Sequence, residues 1–156
     1  MCTGVVLPQS DLPMHLAAQH PGLAHRLHER GGEPEYRFLW RHRPALLPVW
    51  HEGQLRLVRW GCRRGESRTL PTTGWTWRES VEGGKWQHAS AQPVDIPARV
   101  ILERGVWIAV RQGVRGLLVE DEGRTPTVYV VIEPASHYYE VMTRSRWMPV
   151  LIGERI

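Results

Sequence analysis

The stretch VILERGVWIAVRQGVRGLLVEDEGRTPTVYVVIE, residues 100–133, decides the fold. Four apolar runs stand in it: Val100–Leu102, Val106–Val110, Gly116–Glu120 and Thr127–Glu133. Each is short, rich in β-branched residues and bounded by glycine, proline or charge, which marks strands rather than helices. Working outward, Leu46–Trp50 and the alternating run Gln54–Trp60 flank the turn His51-Glu52-Gly53, the pattern of a hairpin. Val5–Leu7 reads as a first strand and Met148–Ile152 as a closing one. Ser10 to about Arg30 reads as two short helices, capped by Ser10 or Asp11 and divided at Pro21-Gly22. Pro134-Ala135-Ser136 opens a third that runs to about Met142. Gly31-Gly32-Glu33-Pro34 and Gly61–Gly74 are loops, Gly83-Gly84 is a turn, and Ser90–Pro97 carries no regular pattern. Roughly six to eight short strands with three short helices predict a mainly β, α+β domain. Its sheet would be mixed, curled or barrel-like, and covered by the helices. The 156 residues are read as one domain, long enough to bury a core without disulfides or metal.

The formal net charge is +4, and Lys85 is the only lysine. Arginine gives planar, bidentate contacts to phosphate and stacks on rings. Eight tryptophans accompany it, and basic residues interleaved with aromatics suit single-stranded nucleic acid. Two cysteines, Cys2 and Cys62, without CxxC or zinc-like Cys/His spacing, argue against a disulfide framework and a zinc module. His15, His20, His25 and His28 fit no common metal pattern and read as a solvated helix face. No apolar run reaches membrane length, and the N-terminus lacks signal-peptide blocks. A cytoplasmic protein is expected.

The chain opens Met1-Cys2-Thr3-Gly4. Once Met1 is removed, Cys2 would carry a thiol and a free α-amine on adjacent carbons. The thiolate is a strong nucleophile, and an amine of pKa near ~8 is available as base or second nucleophile.

Further patches follow in order: Arg41-His42-Arg43-Pro44 through Leu47-Pro48-Val49 and Trp60-Gly61-Cys62, then Thr76-Trp77-Arg78-Glu79-Ser80. Arg99 to Ile108 follows, and Ile132–Ser136 with Ser145-Arg146-Trp147-Met148-Pro149-Val150 closes the series. Together with Cys2 these patches resemble the SOS-response-associated peptidase family, proteins that crosslink to abasic sites in single-stranded DNA during the DNA damage response. The resemblance runs over nearly the whole chain. It implies a cofactor-free, monomeric protein, nucleoid-associated on DNA damage, whose partner is single-stranded DNA containing abasic sites.

The resemblance also implies a site. The family uses its terminal cysteine with an asparagine, a glutamate and a histidine. Here Cys2 is retained and the asparagine position holds Thr76. The glutamate position holds Ile108, with Glu103 and Glu133 the nearest carboxylates in sequence. The histidine position falls on Ser145, and His137 on the same segment can substitute. Arg78, Trp60 and Pro44 match family positions that face DNA, and Arg41, Arg43, Arg63 and Arg64 are further phosphate candidates. Arg78 could equally pair with Glu82 at helical spacing, and Trp107 is expected in the core. Two other readings stand beside crosslinking. One is a single-stranded-DNA-binding module with a decayed site. The other is an N-terminal-nucleophile thiol amidase, for which a glutamine-binding signature is missing.

Overall fold

The computed structural model describes residues 1–156. Twelve strands alternate with three short α-helices and three 3-10 turns. The strands are β1 (Cys2–Pro8), β2 (Leu27–Arg30), β3 (Glu33–Leu39), β4 (Leu46–His51), β5 (Gln54–Trp60) and β6 (Trp75–Trp77). The second half adds β7 (Gln92–Pro97), β8 (Val100–Glu103), β9 (Val106–Ala109), β10 (Gly113–Glu120), β11 (Pro126–Pro134) and β12 (Trp147–Pro149). The helices are α1 (Met14–Gln19), α2 (Arg78–Glu82) and α3 (His137–Thr143).

Two sheets share the chain. Strands β10-β7-β4-β5-β11 form a ring that closes through β10–β11 pairing, with β6 and β12 added to β11. The ring is mixed, because β5 runs parallel to β11 while its other pairs are antiparallel. The second sheet is open, five-stranded and antiparallel, in the order β2-β3-β1-β8-β9. Val5, Phe38 and Ile101 are 0% exposed on its inner face and Ile108 6%. Burying each such side chain is worth roughly 1.5–3 kcal/mol. They belong to one core cluster that also takes in Leu47, Val58, Val94 and Val128 from the ring. The expected curled, barrel-like, mainly β α+β architecture is therefore present.

Four local expectations are corrected. The strand count exceeds the six to eight read from sequence. Between Ser10 and Arg30 only Met14–Gln19 is α-helical; the end of that stretch is β2, a hairpin partner of β3 through the Gly31-Gly32 turn. Ser90–Pro97 is not irregular throughout, since Gln92–Pro97 pairs with β10 along its length. Trp107 is at the surface, its ring covered by the guanidinium groups of Arg30 and Arg37 at 4.8 and 5.1 Å. Strands β2, β3 and β6 in the first half, and β7, are not marked by the sequence reading and are held by their pairing partners.

Candidate active site

Cys2 and Val5 are three residues apart, a separation that puts side chains on opposite faces of a regular strand. A bulge removes that conflict. Cys2 pairs with Glu103, Gly4 with Leu102 and Val5 with Ile101, so Thr3 is the extra residue. Cys2 thus returns to the inner face and is 0% exposed. Glu103 shares that face because it lies two residues from Ile101 on β8, and it too is 0% exposed.

The buried carboxylate is held from two sides. The terminal amine on Met1 lies 2.8 Å from Glu103 Oε2, and Tyr139 donates its hydroxyl to Oε1 at 2.9 Å. Beyond the terminal amine, Oε2 has no polar partner. Tyr139 comes from the first turn of α3, where the Ser136 side chain caps the helix by accepting from the Tyr139 amide at 3.1 Å. Trp75 on β6 donates its indole N–H to the Cys2 carbonyl at 2.8 Å. The thiol donates to the Gly4 carbonyl at 3.3 Å. Burial pushes the Cys2 thiol up to about 12; the Glu103 charge adds to the shift, while the Gly4 hydrogen bond and the terminal amine oppose it. Burial, then the neighbouring Cys2 and Glu103, push the Tyr139 phenol up as well. With Met1 in place the thiol is therefore neutral near pH 7, a weak nucleophile.

The four catalytic candidates read from sequence do not gather as a set. Cys2 stands at the site just described. The Thr76 hydroxyl is buried and accepts from Trp86 Nε1 at 2.9 Å. The Ser145 hydroxyl is also buried and donates to the Trp147 carbonyl at 2.8 Å. His137 is exposed at the start of α3 and its side chain makes no hydrogen bond. Ile108 is a core residue opposite Ile101, and Glu133 is bound by Arg78. What sequence matching left off its position is Glu103, and what it missed altogether are Tyr139 and Trp75. A signal for Glu103 was present: a charge in phase with Ile101, at the inward position of an apolar strand.

The basic candidates divide into free and engaged. Arg41 and Arg43 are exposed on the loop after β3, and Arg64 is exposed on the loop after β5. The Arg63 guanidinium lies 4.3 Å over the Trp40 ring and bonds the Trp40 carbonyl, so these two loops are tied together. None of these four arginines makes a salt bridge. Pro44 is exposed, follows a cis peptide bond and accepts from Arg26 at 2.6 Å. Glu122 fixes the second loop through Ser67, the Arg68 amide and Thr69; these bonds, the Arg68 amide foremost, hold its carboxyl at about 2. Arg78, by contrast, is paired with Glu82 at 3.0 Å and Glu133 at 2.7 Å. Trp60 is 1% exposed and has no ring face to offer a base. It packs between Trp40 and Trp75, with centroids 5.5 and 6.1 Å away. A continuous aromatic layer therefore joins the free arginines to Cys2: Arg63 on Trp40, Trp40 on Trp75, Trp75 to the Cys2 carbonyl.

His15, His20, His25 and His28 do not gather with other ligating side chains into a metal-sized cluster. No helix is long and apolar enough to cross a membrane. Comparison with family models, curated proteins and solved structures finds no match to this chain. The site is accordingly defined by its own chemistry, a cysteine next to the chain terminus opposite a buried carboxylate whose polar partners are the terminal amine and the Tyr139 hydroxyl.

Proposed function

We propose that the protein is an abasic-site processing protein of the SOS-response-associated peptidase type. It binds single-stranded DNA and, after Met1 removal, links Cys2 covalently to the ring-opened abasic sugar. The observation that carries this reading is the Glu103 carboxylate, buried and aimed at the terminal amine beside Cys2. Once Met1 is gone, the Cys2 amine becomes that terminal amine. Glu103 then takes its proton, freeing the nitrogen lone pair, and Tyr139 keeps the carboxylate in place. The amine adds to the aldehyde carbon and the carbinolamine loses water to an imine. The sulfur adds to the imine carbon and the thiol proton passes to nitrogen. One thiazolidine and one water result, with no change of oxidation state. Holding amine and thiol on one residue makes ring closure intramolecular. A positioned acid–base group contributes about 10² to 10⁴ in rate. The exposed arginines Arg41, Arg43 and Arg64, with Arg63 held beside them on Trp40, neutralise strand phosphates.

The test is incubation of the Met1-free protein with single-stranded DNA containing one abasic site, followed by a denaturing gel. A shifted band that Cys2→Ala removes is expected. Absence of the band, where an established crosslinking protein gives one, would refute the reading. The burial of the thiol and the engagement of Thr76 and Ser145 elsewhere favour one alternative, a binding module of the same fold without covalent chemistry. Salt-dependent DNA binding with no adduct would select it.

A further inference from the structure

The outer face of the open sheet carries a concavity of about 260 Å³ on the side opposite the Cys2 thiol. Its rim carries two permanent cations and two imidazoles: Arg37 from β3 and Arg41 from the loop that follows, with His28 from β2 and His42 from that same loop. No carboxylate lines it. Glu35, the nearest on β3, is already shared by Arg30 and Arg37 at 2.9 Å each, and Arg37 uses only its Nε for that contact, so its two terminal nitrogens stay available. His42 Nδ1 accepts the Leu39 amide at 3.2 Å, which fixes the proton of the neutral ring on Nε2. Burial, followed by the charges of Arg26, Arg41 and His28, lowers His42 to about 4, so its ring is neutral near pH 7 and presents Nε2–H as a donor. The wall is apolar. Leu39 and Leu102 close over β1 where Gly4 has no side chain; a Cβ there would lie 2.5 Å from Leu39 Cδ2. Thr3 and Trp107 complete the enclosure.

We infer that this concavity is a binding site for a small phosphate ester, with the phosphate between Arg37, Arg41, His28 and His42 and the organic part against Leu39 and Leu102. Donors converging from three segments suit a tetrahedral oxyanion, whereas one carboxylate would use a single guanidinium fork. The volume fits a sugar phosphate and is smaller than the pockets that enclose drug-sized ligands.

The test is titration of the isotope-labelled full chain, carrying Cys2→Ala so that covalent chemistry is silent, followed by NMR. Ribose 5-phosphate should shift the amides of Thr3, Leu39 and His42 and the Trp107 indole N–H, and ribose should not. Arg41 is exposed and without an ion-pair partner, so Arg41→Ala keeps the fold, seen as an unchanged remainder of the spectrum. It should weaken binding by about tenfold or more. An oligothymidylate without terminal phosphates forms a further arm: the same shifts from it alone identify strand phosphates as the source of this chemistry. The inference is overturned if neither phosphate source moves these resonances at millimolar concentration. It also falls if ribose moves them equally, or if Arg41→Ala binds as tightly as the parent. None of these outcomes depends on the crosslinking reading.

Discussion

The surroundings of the two cysteines are alike in composition and opposite in logic. Cys2 and Cys62 are both buried, and burial pushes both thiols up. Each has a buried tyrosine and a carboxylate near by. Around Cys62 the carboxylate is Asp121, and Arg59 reaches it at 3.0 Å while also touching Thr127 at 2.8 Å and the thiol at 3.3 Å. Arginine is a permanent charge, so that pair stays balanced wherever the Asp121 carboxyl, itself held below its ordinary value by the Thr125 amide and Arg59, is ionised. Around Cys2 the carboxylate is Glu103, and its cationic partner is a terminal amine. That partner changes identity when a residue is cleaved. A carboxylate closed off by arginine is a piece of structure; one facing a terminal amine is what the proposed crosslinking chemistry draws on.

The sharpest way to break this comparison is to remove each thiol. Cys2→Ala should abolish the DNA adduct on a denaturing gel, and Cys62→Ala should leave its yield unchanged. Next in size are the two carboxylates. Glu103→Gln should slow adduct formation by about 10² or more, read as a single-turnover rate. Asp121→Asn should leave that rate intact and lower Tm, because it weakens the Arg59 network. Thiol labelling gives a smaller contrast. With Met1 present, both cysteines should react slowly with a disulfide reagent at pH 8. After Met1 removal Cys2 should outpace Cys62 by about tenfold, since an adjacent ammonium favours the thiolate.

The smallest effect is on stability against pH. A thiol whose folded pKa is raised contributes stability that is complete below the unfolded value of 9.0 and lost as pH rises towards about 12. Tyr129 and Tyr139 are raised too and act in the same direction. His42 is lowered from 6.5 to about 4, so its contribution is present above 6.5 and lost on acidification through that window. Thermal melts from pH 4 to 12 should therefore show Tm falling at both ends. In Cys2→Ala the alkaline fall should be shallower.

The ring was largely legible in the sequence, because β4–β5 and β10–β11 carry their own apolar runs and turn residues. Strand β7 was not, since Pro93 and Pro97 and the charge at Asp95 hide a strand whose pairing with β10 includes an Asp95–Arg115 contact of 2.5 Å. Strand β2 reads Leu27-His28-Glu29-Arg30, three of them exposed, and only β3 beside it makes it a strand. At the site, Cys2 announced itself by position and Glu103 by its phase on β8. Tyr139 and Trp75 reach Glu103 and Cys2 across 36 and 73 residues of chain, and no local pattern encodes such contacts.

The extra residue at Thr3 makes the first strand a phase shifter. A regular strand through the same residues, with Thr3 taken into the pairing, would keep every chemical group of the site. It would nevertheless turn Cys2 to the outer face and send the thiol away from Glu103. The direction of this thiol is thus counted in residues from Val5, like teeth on a gear, and a shift of one tooth turns it away from Glu103.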